Sequence, residues 1–196
     1  MSKLCFVYST MNSGKTLELI KTAHYYEERN KKVLIFTSEK DTRNGVIHRD
    51  NKIGKVVARI GYSRPAWLIE RIDCYEMAKN EKPDCIFVDE VQFLTKDIIL
   101  KIISIVDNLD IPVTCYGLKC DFQNNLFESS ALLLSYSDVL KELEIDCWYC
   151  NKKALLNLRM NNNDPVFEGE LLLVGGSESY KPVCRRCYNM LKSQKS

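Results

Sequence analysis

Residues 4–16 read LCFVYSTMNSGKT. The first five, Leu4 to Tyr8, form an uninterrupted apolar run, which predicts a short strand buried on both faces. From about Lys15 to Arg29, apolar Leu17, Ile20, Ala23 and Tyr26 recur near helical spacing, which predicts a helix. Between strand and helix lies Ser9 to Thr16. It matches the Walker pattern G-x-x-x-x-G-K-[ST] at Gly14, Lys15 and Thr16, with Ser9 in place of the first glycine. A strand that ends in a tight loop and passes into a helix turns backbone N–H groups and a helix N-terminus toward phosphates. Lys15 is then expected to neutralise the β- and γ-phosphates and the Thr16 hydroxyl to ligate Mg²⁺. A Gly-Lys-Thr triplet can precede a helix by chance, but here the context is right on both sides. Ser9 implies only that the opening turn tolerates a side chain.

Outward from this loop, strand-like runs alternate with helix-like ones. VLIFT (Val33 to Thr37), CIFVD (Cys85 to Asp89) and VTCYG (Val113 to Gly117) read as strands. Helices are expected over Ala66 to Asn80 and over Lys96 to Leu109, the latter from its Ile98, Ile99, Ile102, Ile103, Val106 pattern. Such alternation predicts an α/β fold, a parallel P-loop sheet flanked by helices. The strand ending in Val88-Asp89-Glu90 carries a Walker B signature, with Asp89 reaching Mg²⁺ from the strand beside the phosphate loop. Glu90 fits a general base that takes a proton from a nucleophile near the γ-phosphate. Whether that nucleophile is a substrate hydroxyl or water, Asp-Glu alone leaves open. Away from a phosphate loop the same pair would read as an exposed acidic turn.

Two regions break the pattern. Glu39 to Pro65 is polar, basic and without periodicity, and reads as a long functional or mobile loop. Beyond Cys147 come short runs, ALLNLRM and ELLLV, separated by NNND and GGSES, which predict a small β element. That element holds Cys147, Cys150, Cys184 and Cys187, two Cys-x-x-Cys pairs separated by 33 residues. Four thiolates in two knuckles suit tetrahedral Zn²⁺ with no open position, a structural metal. The long gap implies that a sizeable loop leaves the site and returns. A redox dithiol fits less well, since one pair would suffice and neither pair is expected to open a helix after a strand. Of the remaining cysteines, Cys5, Cys85 and Cys115 lie in apolar runs and read as buried free thiols. Cys74 and Cys120 suggest no partner.

The whole chain has 196 residues, 45% of them hydrophobic and 28% charged, with a net charge of +2. These are the proportions of a globular protein with one ordinary domain and a small appendage, large enough to bury roughly 70% of its unfolded surface. A near-neutral chain lacks the concentrated basic surface that nucleic acid demands. The acidic, polar loop NNNDPVFEGE also argues against a nucleic-acid-binding zinc ribbon. No apolar stretch approaches the ~18–20 residues of a membrane helix. The N-terminal MSKLCFVYS lacks a signal peptide's long apolar region. No nucleic-acid partner, no membrane and a cytoplasmic location are therefore expected.

Together these stretches resemble the zinc-containing type II thymidine kinases, in particular their bacterial branch. The resemblance is carried by YSTMNSGKT at 8–16, DTR at 41–43, VDEVQF at 88–93, DFQ…F at 121–127 and GGSESYKPVCRRCY at 175–188. Ser9 and Asn12 are similar to the bacterial loops, which also lack the first glycine. The resemblance implies ATP, Mg²⁺ and structural Zn²⁺, with deoxythymidine as the acceptor. Ser9, Thr10, Met11, Asn12, Ser13, Gly14, Lys15 and Thr16 would hold the ATP phosphates, with Arg43 reaching toward them. Asp89 and Thr16 would serve Mg²⁺, and Glu90 would accept the proton of the 5′-hydroxyl. Val91 and Gln92 would continue the nucleotide-binding stretch. Met11, Phe93, Leu118, Phe122 and Phe127 would line the thymidine pocket. Leu171, Leu172, Leu173, Val174 and Gly175, with Tyr180, would form a lasso over the base through main-chain hydrogen bonds. Taken alone, Phe122 and Phe127 would be read as core and Tyr180 as a surface-loop residue, while His24 and His48 suggest no role. Two parts are implied, an ATP-binding α/β part at 1–145 and a zinc-binding lasso part at 146–196. The family also implies a homotetramer and feedback by thymidine triphosphate. The rival reading is a small P-loop ATPase or nucleic-acid module with a zinc ribbon.

Overall fold

The computed structural model describes residues 1–41, 48, 50–162, 164–169 and 179–195. Arg43 and residues 170–178, which include the ELLLV run and Leu171 to Gly175, lie outside the described residues.

Seven strands form the main sheet: β1 (Leu4–Ser9), β2 (Val33–Thr37), β3 (Ile53–Val57), β4 (Ser63–Leu68), β5 (Cys85–Val88), β6 (Val113–Leu118) and β7 (Val139–Glu142). Their order is β3-β4-β2-β5-β6-β1-β7, parallel throughout except for β3 against β4. The fold class read from the alternating pattern is thus observed. Helix α1 (Lys15–Glu28) covers one face, where Leu19 and Ala23 pack on Val7, Ile35 and Phe87. Helices α2 (Cys74–Glu81), α3 (Lys96–Leu109) and α4 (Glu128–Tyr136) cover the other. On that side Ile99, Ile102, Ile105 and Val106 of α3 meet Phe6, Phe36, Ile86 and Val88 of the sheet. Both faces of the central strands are therefore apolar, which is why those strands read as continuous runs rather than alternations.

Three expectations need correction. Strand β6 lies between β5 and β1, so Asp89 does not sit on the strand beside the phosphate loop. Alternation of strands and helices fixes handedness but not strand order. The expected helix over Ala66 to Asn80 is instead the end of β4, a three-residue helical turn at Ile69–Arg71 and the shorter α2. The stop is local: Asp73 caps α2, its carboxylate accepting from the Tyr75 and Glu76 N–H groups at 3.0 and 3.2 Å. The segment read as a long loop to Pro65 contributes β3 and the first half of β4.

The C-terminal region forms a second sheet, β10-β8-β9, from β8 (Leu156–Asn161), β9 (Asp164–Val166) and β10 (Ser179–Val183), followed by α5 (Arg185–Ser193). Leu158, Met160, Val183 and Tyr188 gather around the cysteines as a core of its own.

Candidate functional site

The C-terminal ends of parallel strands are where open α/β sheets bind ligands, and the motif residues converge there. Ser9 ends β1, and the loop turns through Asn12 at φ 67° and Gly14 at φ 85° before α1 begins. Gly14 occupies the left-handed region without a Cβ penalty, as the loop requires. The Lys15 ammonium folds back over the loop and donates to Thr10 O at 2.8 Å and to the Ser9 hydroxyl at 3.1 Å. Ser9 and Ser13 hydroxyls also contact each other across the loop. A serine at the first position is thereby accommodated: its side chain helps close the turn that a glycine would leave open.

Thr16 and Asp89 meet despite the intervening strand. The Thr16 hydroxyl donates to Asp89 Oδ2 at 2.9 Å, with Thr16 6% and Asp89 0% exposed. A hydroxyl and a carboxylate buried together at a sheet end are hard oxygen donors of the kind Mg²⁺ takes.

Glu90 follows in the left-handed region at φ 54°, a sparsely populated conformation for a residue with a side chain. This kink ends β5 and starts the helical turn Val91–Phe93. Gln92 then works in both directions: its Nε2 donates to Glu90 Oε2 at 2.5 Å, and its Oε1 accepts from the Leu118 N–H at 3.0 Å. The Glu90 carboxylate is thus braced against the end of β6. Gly117 permits this, because a Cβ there would lie 2.6 Å from Val91 Cγ2 and 2.8 Å from Gln92 Oε1.

Leu118 is buried, and its carbonyl accepts from the Ser130 hydroxyl at 2.6 Å. Asp121 accepts from the Gln123 and Asn125 N–H groups at 2.8 and 2.9 Å, fixing the turn after Phe122. Phe122 is 3% exposed, while Phe93 and Phe127 are half-buried. The C-terminal sheet and α5 each grip Phe122: the Arg159 guanidinium of β8 lies 4.8 Å from its ring centroid, and the Tyr188 hydroxyl of α5 donates to its carbonyl at 3.0 Å. Met11 and Asn12 touch the same sheet, through Asn157 Oδ1 and Tyr180 O. Asn157, Arg159 and Tyr188 escape the sequence reading. Asn157 and Arg159 stand two apart in β8, on one face of the strand and both buried, at 4% and 1% exposure.

The four cysteine sulfurs all lie within 4.8 Å of one another, with Cys150 3.7 Å from both Cys184 and Cys187. Four sulfurs ~2.3 Å from a common centre have a tetrahedral edge of about 3.8 Å, so the set fits Zn²⁺. Cys184 caps α5 directly after β10, which corrects the expectation that neither pair opens a helix after a strand. The Cys187 N–H points at the Cys184 sulfur and holds its pKa below the ordinary thiol value, favouring the thiolate a metal needs. Elsewhere burial does the opposite, pushing the Cys74 thiol up to about 11 and Cys85 up to about 12. Those two are inert neutral thiols.

The family model described as "Thymidine kinase" matches residues 2–188. Thymidine kinases from Lactiplantibacillus plantarum and Enterococcus faecalis are 47% and 48% identical to the chain over 191 residues. The match covers 96% of this chain in both cases, and 96% and 95% of those proteins. The thymidine kinase of Shouchella clausii is 46% identical over 192 residues, covering 96% of each chain. With the family model matched over nearly the whole chain and full-length relatives 46–48% identical, the chain belongs to the thymidine kinase family, in its bacterial branch.

Proposed function

We propose that the chain is an ATP-dependent thymidine kinase, which moves the γ-phosphoryl group of ATP to the 5′-hydroxyl of deoxythymidine and releases dTMP and ADP. The observation that carries this reading is the convergence, at one end of the sheet, of Lys15, the Thr16–Asp89 pair and a Glu90 carboxylate held by Gln92. Ser9 to Thr16 hold the phosphates, and Lys15 exchanges its contacts with the loop for contacts with them. Arg43 reaches toward the same charges. Thr16 and Asp89 would hold Mg²⁺, which when bound would neutralise negative charge on the ATP phosphates. Glu90 takes the proton of the 5′-hydroxyl as its oxygen bonds to the γ-phosphorus and the bond to ADP breaks. Phosphoryl transfer asks little else of the protein than position and charge.

Met11, Phe93, Leu118, Phe122 and Phe127 form the nucleoside pocket in this reading, covered by the main chain of Leu171 to Gly175 with Tyr180. Cys147, Cys150, Cys184 and Cys187 hold a structural Zn²⁺ that pins the base of that cover. The division into an ATP-binding part, 1–145, and a zinc and lasso part, 146–196, follows from the same assignment. A homotetramer and feedback inhibition by thymidine triphosphate belong to the reading through the family resemblance alone. A cytoplasmic location completes it; among the described residues no helix is long and apolar enough to cross a membrane.

The experiment is ATP turnover with and without thymidine. A kinase depends on the nucleoside and yields dTMP. Turnover that ignores thymidine, or that responds to DNA instead, supports the P-loop ATPase reading and removes the kinase.

A further inference from the structure

We infer that Asn157 is a positioning residue of the kinase reaction, fixing the Met11 peptide of the phosphate loop and so coupling the nucleoside side of the site to the phosphate side. The inference rests on the thymidine kinase reading above.

Asn157 lies in β8 and is 4% exposed. Its Oδ1 accepts from the Met11 N–H at 2.7 Å, and its Nδ2 donates to the Cys120 carbonyl at 3.3 Å. One partner only donates and the other only accepts, so the orientation of the amide is set by its surroundings. Neither partner belongs to the sheet that carries Asn157. Met11 follows β1, and Cys120 follows β6, its neighbour in the large sheet, where Ser9 and Leu118 form the last registered pair. One buried side chain of the small sheet therefore spans the ends of two adjacent strands of the large one.

A second link runs alongside. Asn12 donates through Nδ2 to the Tyr180 carbonyl at 3.0 Å, and Tyr180 faces Arg159 across the β10–β8 ladder. Arg159 in turn covers the Phe122 ring. The two crown residues of the phosphate loop and one wall of the nucleoside pocket thus hang on the same two strands.

The consequence is chemical. The Met11 N–H is already engaged by Asn157 and is withdrawn from the set that faces phosphate, which leaves that task to later residues of the loop. Met11 also carries a side chain assigned to the nucleoside pocket. Its peptide is the point where a shift of the C-terminal sheet over a bound nucleoside must change the phosphate loop. Losing the Oδ1 acceptor leaves a half-buried N–H without its partner, and the crown then relaxes away from its bonded position.

Wild-type protein is measured first, since absence of thymidine-dependent turnover there refutes the kinase reading itself. Calorimetry then gives the affinity for a non-hydrolysable ATP analogue, with and without saturating thymidine, beside steady-state KM and kcat. Asn157→Leu removes both bonds with the same side-chain branching, and Asn157→Asp keeps the acceptor for Met11 but loses the donor to Cys120. The expected result is mutual strengthening of the two ligands in wild type, its loss in Asn157→Leu with thymidine KM raised tenfold or more, and its recovery in Asn157→Asp. Should Asn157→Leu fail to fold, Asn157→Asp still decides, because wild-type coupling there supports the Met11 bond and lost coupling overturns it. The inference is also overturned by a wild type that shows no coupling. A Leu variant with a lowered melting temperature but unchanged KM and coupling would overturn it too, because Asn157 would then only satisfy two half-buried groups.

Discussion

Gly117→Ala is the smallest change expected to disturb catalysis without touching a charged group. Gly117 lies in β6 with the turn Val91–Phe93 packed directly on it. The added methyl carbon would stand 2.6 Å from Val91 Cγ2, 2.8 Å from Gln92 Oε1 and 3.4 Å from Gln92 N. The first two distances are shorter than van der Waals contact allows, so the turn must move. Gln92 Oε1 can swing away, but only by releasing the Leu118 N–H, and Gln92 Nε2 is what holds Glu90. Val91 is fully buried and has nowhere to go. Overpacking of this kind costs about 1–3 kcal/mol. For a chain of this length that lowers the melting temperature by roughly 2–12 °C. A base displaced by on the order of 1 Å loses up to ~10²-fold in rate, so kcat should fall about 10- to 10²-fold. The three nearest contacts of the methyl all lie in the turn and none in the loop Ser9 to Thr16, so KM for ATP should change less than kcat. Val91→Ala in the same background removes the closest clash, and the double-mutant cycle should show a coupling of about 1 kcal/mol or more. Thermal unfolding and steady-state kinetics on the four proteins measure both quantities. A single variant within 1–2 °C and twofold of wild type, or strictly additive effects, would refute the wedge between β6 and the catalytic turn.

Glu90→Gln keeps shape and removes the base, so kcat should fall ~10²–10⁴-fold with ATP affinity retained; preserved turnover means that another group takes the proton. Lys15→Ala should weaken ATP binding and turnover together while thymidine still binds without ATP, and unchanged ATP affinity by calorimetry would remove Lys15 from the phosphates. Cys184→Ser should lose zinc, disorder mainly the C-terminal sheet and lower thymidine affinity sharply. ATP affinity should fall less but measurably, since Met11 and Asn12 are bonded to that sheet, and unchanged thymidine binding would detach the sheet from the nucleoside site. The Lys101 ammonium and the two capped N–H groups beside Asp73 hold its carboxyl below the ordinary aspartate value. Its contribution is therefore present above the unfolded pKa and lost as pH falls through the lowered folded one. Asp73→Ala should cost about 0.5–2 kcal/mol at neutral pH, the usual worth of an N-cap, and the gap to wild type should close in acid unfolding curves.

The parts of this molecule legible in the sequence are those written in local pattern. An apolar run, a glycine-containing loop and a helical stripe stand in one contiguous segment from Leu4 to Arg29, and the structure reproduces them as β1, loop and α1. The same holds for the strand before Asp89 and for the paired cysteines, whose spacing names the chemistry. What escaped depends on partners distant in the chain. Ser63–Leu68 contains Pro65, which cannot donate to a ladder. It is a strand because β3 pairs along it and β2 joins only at Trp67 and Leu68, beyond the proline. Helix α5 escaped because two of the residues it buries are Cys187 and Tyr188, one of which reads as a ligand rather than as part of an apolar stripe.

The site divides along the same line. Lys15, Thr16, Asp89 and Glu90 announce themselves because each must be a particular residue type for phosphate, metal or proton. Gly117, Asn157, Arg159 and Tyr188 act only by what lies opposite them, and no spacing rule names a residue whose partner comes from another sheet. Asn157 shows why the distinction matters. On a strand with an exposed face an asparagine would be solvated, and its alternation with leucine would mean nothing more. Here that face is pressed against the ends of β1 and β6, so the amide must find one acceptor and one donor inside the protein. It finds them at Cys120 and Met11. The phosphate loop is therefore not the property of the α/β sheet alone. Its entry and exit are set by β1 and α1, but its crown is held by β8 and β10, the strands that the cysteine cluster anchors from the other end.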